Sequence, residues 1–389
     1  MQCRFTILGV AWMLVGPALG QVNLPEGFEI VEFAVTDTRT SRPAINNCGE
    51  IVYVKDRFED SRVYLYDNGK ITRLTDHNKG LGVGLPDIND EGTIVWYQAM
   101  RRTPESAEIV MLRNGKQSIL GSGSTGSINS FGEMSWQLFR SIDCNVHYDI
   151  MFYDGVSATR IFRSEWTDQS PEINADDWIV WSHADFCVSP WIGDIMLYSD
   201  GKVTQLTDGT GQYVDHAINN RGQVAWMLKH EIYLWENGEI RKVISGRPCG
   251  GPRINEFGDI FFWRWYSETE TFDAWLYYIS DGEPTFHRLT EDPLDDGIGN
   301  INDWTEAAWR FRQGLGNSSG GVRFLRRVRT GDAEFDEDID LSDYALFADC
   351  MTGPGPVDRL CDCRFLDIDY DGDVDLADFA RFQNGFTGK

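Results

Sequence analysis

The sequence predicts an all-β, seven-bladed β-propeller followed by a small α-helical domain built on paired acidic loops. Three observations predict this. An Ile-Asn unit recurs seven times, a tight-turn dipeptide recurs between those units, and two acid-rich loop-and-helix segments end the chain. The repeated residues are Asn46, Asn89, Asn129, Asn174, Asn219, Asn255 and Asn302, with gaps of 43, 40, 45, 45, 36 and 47 residues. A period near 40 made of short strands is the spacing of propeller blades, each of which needs a neighbour to cover its faces.

Each repeat predicts four strands. The first ends at Ile-Asn, and an Asn-x-x-Gly turn follows in five copies, closed by Gly49, Gly92, Gly132, Gly222 and Gly258. Asn accepts a bond from the backbone two residues on, and Gly tolerates positive φ. Asp177 takes the Gly position in the fourth copy and suits the same conformation; Thr305 in the seventh predicts a different turn. The second strand is apolar on both faces, as in Ile179-Val180-Trp181, and so lies between two packed sheets. Seven residues after each Asn stands an aromatic residue: Tyr53, Trp96, Trp136, Trp181, Trp226, Phe262 or Trp309. These are read as core between blades. The third strand, as in Ile232-Tyr233-Leu234-Trp235, runs into Asn68-Gly69, Asn114-Gly115, Asp154-Gly155, Asp200-Gly201, Asn237-Gly238 or Asp281-Gly282. Such dipeptides mark two-residue hairpins, whose turns need positive φ twice. The fourth strand ends at Leu74-Thr75-Asp76, Leu206-Thr207-Asp208 or Leu289-Thr290-Glu291.

The seventh repeat lacks a fourth strand. Phe28 to Val35, followed by Thr36-Asp37, copies the missing element. It is expected to pair with Val322–Leu325, sealing the ring and removing two open sheet edges. The propeller is thus placed at 28–329. The repeats resemble the TolB-like and WD40-like propeller repeats of secreted bacterial proteins, a resemblance that implies the fold and leaves the activity open.

Loop length places the ligand face. Hairpin turns at one end of the ring are short, whereas the loops between second and third strands and between blades are long. Exposed loops on a rigid frame commonly carry binding. The candidates there are Phe139, Arg140, His147, His183, Asp185, Trp191, Trp265 and Tyr266. No residue pair is singled out for catalysis, because neither a Gly-x-Ser-x-Gly elbow nor a His-x-x-x-His pair is present.

Composition bounds the rest. Residues 1–20 read as a signal peptide, with Arg4, an apolar run from Phe5 to Val15 and a small-residue site at Ala18-Leu19-Gly20. Export to the extracellular space or cell surface is expected, with no membrane span. The net charge is -26. Residues 331–389 hold 16 acids against 4 bases, a field that repels nucleic acid and attracts cations. Of eight cysteines, Cys3 leaves with the signal and seven remain in an oxidising compartment. Cys144 and Cys187 fall in equivalent loops of adjacent blades and are expected to bond. Cys350 and Cys363 are expected to pair in the tail with Cys361 left over, while Cys48 is placed at the opposite end of the ring from Cys144 and Cys187.

The tail, 331–388, carries the metal chemistry. Asp367, Asp369, Asp371, Asp375 and Asp378 stand at positions 1, 3, 5, 9 and 12 of an EF-type loop, with Gly372 at 6 and the carbonyl of Asp373 at 7. Alternate acids on a curling loop supply the hard oxygens that calcium needs. The earlier loop keeps Asp332, Glu334, Asp336, Asp340 and Asp343 at the same positions, with Asp338 at 7, but has Glu337 where Gly is wanted, predicting weaker binding. Two such loop-helix units resemble a type I dockerin. The resemblance implies calcium-dependent docking to a cohesin-like or other protein partner, often in polysaccharide breakdown. Leu341-Ser342 and Leu376-Ala377 depart from the paired hydroxyls frequent at the family's partner-binding positions. Two functions follow: a secreted binding or scaffold protein, holding a polysaccharide or peptide on its propeller, or a secreted polysaccharide-degrading lyase or glycosidase active on the loop face.

Overall fold

The structure, a computed structural model, describes residues 23–36, 39–56, 61–75, 81–100, 104–209, 211–246, 249–280, 282–313, 319–333, 339–351 and 361–386. The proposed signal peptide, Asp37, Asp76, Asp281, Glu334, Asp336, Glu337 and Asp338 lie outside them. Seven antiparallel sheets follow one another around a ring, each with four strands on its main path. The chain is a seven-bladed β-propeller. In blade five the strands are Tyr213–Ile218, Val224–Leu228, Glu231–Glu236 and Glu239–Ile244, running from the axis outward. In blade one the innermost strand is split, and Arg39–Thr40 and Ala44–Ile45 both pair with Ile51–Asp56.

Closure follows the expected register. Phe28–Thr36 runs antiparallel to Gly320–Arg327, with Ile30 opposite Leu325 and Phe33 opposite Val322. The seventh sheet thus takes its outer strand from the N-terminal end of the fold, and Phe28 and Phe33 are buried against the blades on either side. The aromatics seven residues after each Asn are all buried, with Tyr53, Trp181, Phe262 and Trp309 fully inaccessible.

The hairpins obey their dipeptides, with one exception. Asn68, Asn114, Asp200 and Asn237 have φ of 46°, 51°, 51° and 50°, each followed by a positive-φ Gly. Asp154-Gly155 departs from this. Tyr153 pairs with Ala158, so four residues form the loop, and the Asp154 carboxylate accepts the N–H groups of Val156 and Ser157 at 2.9 and 2.6 Å. The seventh first-to-second-strand turn also corrects an expectation. Thr305 takes φ 62° and closes the same turn as its counterparts, its N–H reaching the Asn302 carbonyl at 3.1 Å. Its hydroxyl donates to Asp259 at 2.7 Å, which anchors a β-branched residue in a conformation it disfavours.

The Leu-Thr endings have a definite job. Leu74, Leu206 and Leu289 extend the ladder by one backbone bond. The next residue's hydroxyl then replaces a carbonyl: Thr75, Thr207 and Thr290 accept from Val63, Ile195 and Ala274 at 3.1, 3.1 and 2.9 Å. A third-strand N–H just beyond the last fourth-strand pair is thereby satisfied where the chain leaves the sheet.

Helices α1 (Leu341–Cys350) and α2 (Leu376–Gly385) follow the propeller. Asp340 and Asp375 cap them, each with a reciprocal bond from the Asp three residues on. Phe347, Leu366, Val374 and Phe382 form their shared core. Arg326 and Arg327 end the last blade's third strand.

Candidate functional site

The Asn residues of the repeat join the blades around the axis. Each amide Nδ2 donates to the backbone carbonyl of the next Asn: Asn46 to Asn89 at 3.0 Å, Asn89 to Asn129 at 2.9 Å, Asn129 to Asn174 at 3.1 Å. The series continues from Asn174 to Asn219 at 3.1 Å, Asn219 to Asn255 at 2.8 Å and Asn255 to Asn302 at 3.1 Å. Asn302 returns to Asn46 at 3.0 Å and closes a seven-membered hydrogen-bonded ring. Each Oδ1 meanwhile accepts the N–H four residues on within its own turn, as Asn219 does from Gln223 at 2.9 Å. One side chain thus shapes a turn and bridges two blades.

Inside this ring the innermost strands enclose an axial cavity of about 200 Å³. Their geometry comes from bulges. Four residues before the Asn, Leu85, Thr125, Ser170, Asp215 and Gly251 take φ between 43° and 62°, and each lies where the strand register shifts. A bulge bends the strand and re-aims its side chains. Two residues before the Asn, Asp87, Glu172 and Arg253 line the cavity, and Arg42 joins them from blade one.

These four charges are spaced rather than bonded. Glu172 Oε1 lies 3.7 Å from Arg42 Nη1 and 3.6 Å from Arg253 Nη2. Both are ion-pair distances beyond a good hydrogen bond. Arg253 is buried, its Nη1 donates to the carbonyls of His216 and Pro252, and its Nε has no partner. Burial pushes the Asp87 carboxyl up to about 6, opposed by the Ile128 N–H and by Arg42. Burial, and then Arg253, lower the pKa of Arg42, with Glu172 opposing. His216 lies just behind, held by Ser182 Oγ at 3.0 Å and the Ser170 carbonyl at 2.7 Å, and burial pushes it down toward the neutral form.

The sequence signals point to the long loops, and none of this cavity's charged residues is among the candidates they yield. Its signal is a charged residue directly before an Ile-Asn pair, as in Glu172-Ile173-Asn174 and Arg253-Ile254-Asn255.

The residues expected on long loops lie, all but Trp191, on strands that run further than the sequence predicts, and they divide into two groups. In blades three and four, Arg140 pairs with the buried Asp149 at 3.4 Å, and Phe139 meets Tyr148 edge-on. His147 Nε2 reaches Asp143 at 3.1 Å, and Asp185 accepts from Asn145 and from the Cys187 N–H. His183 donates or accepts through Nδ1 at 2.7 Å from Asp168 and stacks on Trp166, while Trp191 packs on Phe186. The Cys144–Cys187 disulfide ties these loops together, with Cα atoms 5.2 Å apart. Trp265 and Tyr266 belong to a separate cluster in blade six, against Phe272 and Trp275.

The tail brings four of its carboxylates together. Oxygens of Asp367, Asp369, Asp371 and Asp378 lie within 4.8 Å of one another, as do those of Asp373, Asp375 and Asp378. Gly372 at φ 96° makes the sharp turn, and the N–H groups of Asp371 and Gly372 donate to Asp367. In the earlier loop Asp343 is buried and accepts from the Ala333 and Asp340 N–H groups, while Asp332 stands at the loop's start. The second loop is braced on the propeller's short-turn end. Asn68 Nδ2 donates to Asp367 at 2.5 Å, and Arg329 pairs with the same oxygen at 2.8 Å. Arg326 and Arg329 both lie 4.3 Å from the Tyr370 ring centroid, and Trp304 meets Phe365 edge-on. Arg364 pairs with the buried Glu306, beside Gly49, where any Cβ would collide with its guanidinium.

Here the cysteine expectations need correction. Cys350 and Cys363 are bonded, with Cα atoms 5.3 Å apart. Cys361 is not left over. It bonds to Cys48, with Cα atoms 4.2 Å apart, and clamps the tail to the first blade's turn. The remaining thiol is Cys249, which is buried, and burial pushes it up to about 11.

Solved structures similar to this chain share its fold. The propeller domain of the trilobed protease from Pyrococcus furiosus, described as having an open velcro topology, matches with a TM-score of 0.58 and 11% identity. The match covers 75% of this chain and 98% of that one. Virginiamycin B lyase from Staphylococcus aureus, in a catalytically inactive variant solved with quinupristin, matches with a TM-score of 0.55 and 12% identity. It covers 77% of this chain and 99% of that one. A puromycin-hydrolysing peptidase from Mycobacterium tuberculosis matches with a TM-score of 0.55 and 10% identity over 79% of this chain and 56% of its own. At such identities the likeness concerns architecture, and propellers of this architecture include a lyase and a peptidase. No protein-family model and no curated protein matches the sequence.

Proposed function

We propose that this chain is a secreted binding or scaffold protein, with the propeller as a ligand-binding platform and a dockerin-like tail that takes up calcium and docks to a cohesin-like or other protein partner. The observation that carries the reading is the carboxylate nest at Asp367, Asp369, Asp371 and Asp378. Its members stand at the ligand positions 1, 3, 5 and 12 of an EF-type loop, and all its donors are hard oxygens, the set that suits calcium. Asp369 Oδ1 and Asp373 Oδ1 are buried without a hydrogen-bond partner, as expected of oxygens reserved for a cation. Calcium would supply the neutralising charge, and Asp367, Asp369, Asp371 and Asp378 would hold it.

Calcium titrated into the chelator-treated, full-length secreted chain is expected to bind tightly at one site, with the earlier loop weaker. Asp367→Ala is expected to weaken the tight site by at least about 100-fold, because it removes a charged ligand and frees Arg329 (~3 kcal/mol). Asp332→Ala should have the smaller effect. Equal isotherms for wild type and Asp367→Ala would refute the calcium reading.

A second reading rests on a specific pair. Asp168 is fully buried and contacts His183 Nδ1 at 2.7 Å, Trp181 Nε1 at 3.0 Å and Ser164 Oγ at 2.5 Å. An imidazole oriented by a buried carboxylate is the arrangement of a general base. On that reading the chain is a polysaccharide lyase or glycosidase acting on the loop face. A reducing-sugar assay over a polysaccharide panel separates the two: turnover lost in His183→Ala supports the enzyme, and no turnover leaves the binding protein.

A further inference from the structure

We propose that the axial cavity is a binding site for a small zwitterion, a molecule carrying one carboxylate and one ammonium group, held by Arg42 and Arg253 at its anionic end and by Glu172 at its cationic end. The proposal deepens the reading of the propeller as a ligand platform and rests on it.

Three observations lead there. First, Glu172 and the two arginines beside it are only loosely paired. Glu172 makes no hydrogen bond among the described residues and meets both guanidinium groups only at 3.6 and 3.7 Å. Arg253 is buried with Nε unpartnered, although its Nη1 is fixed by two carbonyls, so its orientation is set while part of its fork stays available. Second, the charges on the strand side of the Asn ring balance. Arg42 and Arg253 stand against Asp87 and Glu172, whereas Asp90, Glu256 and Asp303, in the turns after the Asn residues, are taken up by N–H and amide donors of neighbouring turns, and a zwitterion preserves that balance in a confined space. A plain anion or a plain cation would leave one charge uncompensated away from water. Third, the frame is rigid and small. The Asn ring and the neighbouring bulges fix Asp87, Glu172 and Arg253 on the innermost strands of blades two, four and six, with Arg42 in the break of blade one's split strand, and about 200 Å³ lies below the roughly 300–1,000 Å³ of drug-sized pockets. A ligand of amino-acid size fits that space.

The two guanidinium groups come from blades one and six, and the carboxylate between them from blade four. A ligand carboxylate placed between Arg42 and Arg253 accepts from Arg253 Nη2 and from Arg42 Nη1. Its ammonium group, two bonds away in an α-amino acid, then reaches Glu172. Asp87 keeps its bond to the Ile128 N–H at 3.1 Å and stays a wall of the site rather than its grip.

The test is calorimetric titration of the full-length secreted chain, calcium-loaded, with four probes: L-alanine, L-alanyl-L-alanine, acetate and ethylammonium. Saturable binding of L-alanine or of the dipeptide, at least about 10-fold tighter than acetate or ethylammonium, is expected, and the stronger of the two says whether a free amino acid or a peptide is the source. Glu172→Gln and Arg42→Lys are expected to lose at least about 10-fold in affinity while keeping the wild-type melting temperature. Equal affinity for acetate and L-alanine would overturn the proposal, as would saturable binding unchanged in both variants or no saturable binding of any probe at millimolar concentration. Calcium uptake by the tail is measured independently, so failure here is distinguishable from failure of the binding-protein reading.

Discussion

A chain lacking residues 21–36 is expected to lose its cooperative thermal transition. Phe28–Thr36 supplies the outer strand of the seventh sheet, and its removal exposes the ladder of Gly320–Arg327 and the faces covered by Phe28 and Phe33. Two ion pairs go with it, Glu32 with Arg323 at 2.9 Å and Glu29 with Arg326 at 2.7 Å. The last blade would then have to hold blades six and one together with three strands. The net stability of a domain is about 5–15 kcal/mol, and burial of two phenylalanines alone contributes about 3–6 kcal/mol of it. Differential scanning calorimetry checks this. A truncated protein melting cooperatively at the wild-type temperature would show that the ring does not depend on this strand.

The second large effect is expected at Arg323. Its side chain is 1% exposed and pairs with Asp296, Asp292 and Glu32 at 2.9, 2.5 and 2.9 Å. Burial works against its charge, and Asp296, Asp292 and Glu32 more than offset that, so its pKa is raised. Arg323→Met keeps the volume and removes the charge, leaving Asp296 fully buried beside Asp292 without a cation. Breaking a buried pair in this way costs about 3–5 kcal/mol. Urea denaturation should show that loss, and Arg323→Met combined with Asp296→Asn should recover part of it. A loss below about 1 kcal/mol would mean that the carboxylates find other partners on relaxation.

The frame was legible because its signals are local. An Ile-Asn pair, an Asn-Gly hairpin and an aromatic seven residues after the Asn each report one blade's own strands and turns. The N-terminal strand could be matched to blade seven because Val35-Thr36 repeats the Leu-Thr ending. What the Asn does across blades was not legible. Its Nδ2 donates to a residue 36 to 47 positions on, a partner defined only once the ring exists. Thr305 shows the same limit: its hydroxyl reaches Asp259 from another blade and makes a disfavoured conformation tenable. Cys48–Cys361 links residues 313 apart, and nothing in the spacing of either announces where the tail rests. The charged cavity hides for a related reason. Asp87, Glu172 and Arg253 occupy one position of the repeat, but that position is Ala217 in blade five and Ser127 in blade three, and Arg42 stands two residues before it in blade one, so no repeated pattern marks the cavity.

Amide hydrogen exchange of the full-length chain, with calcium and with chelator, tests most directly the proposal that the acidic loop at 367–378 takes up calcium against the propeller surface. Asp371 and Gly372 donate to Asp367, whose side chain is also held by Asn68 and Arg329. Calcium is therefore expected to slow exchange at 367–378, and also at the turn around Asn68 and at 302–306, where Glu306 meets Arg364. Identical exchange in both states across 367–378 would contradict the account.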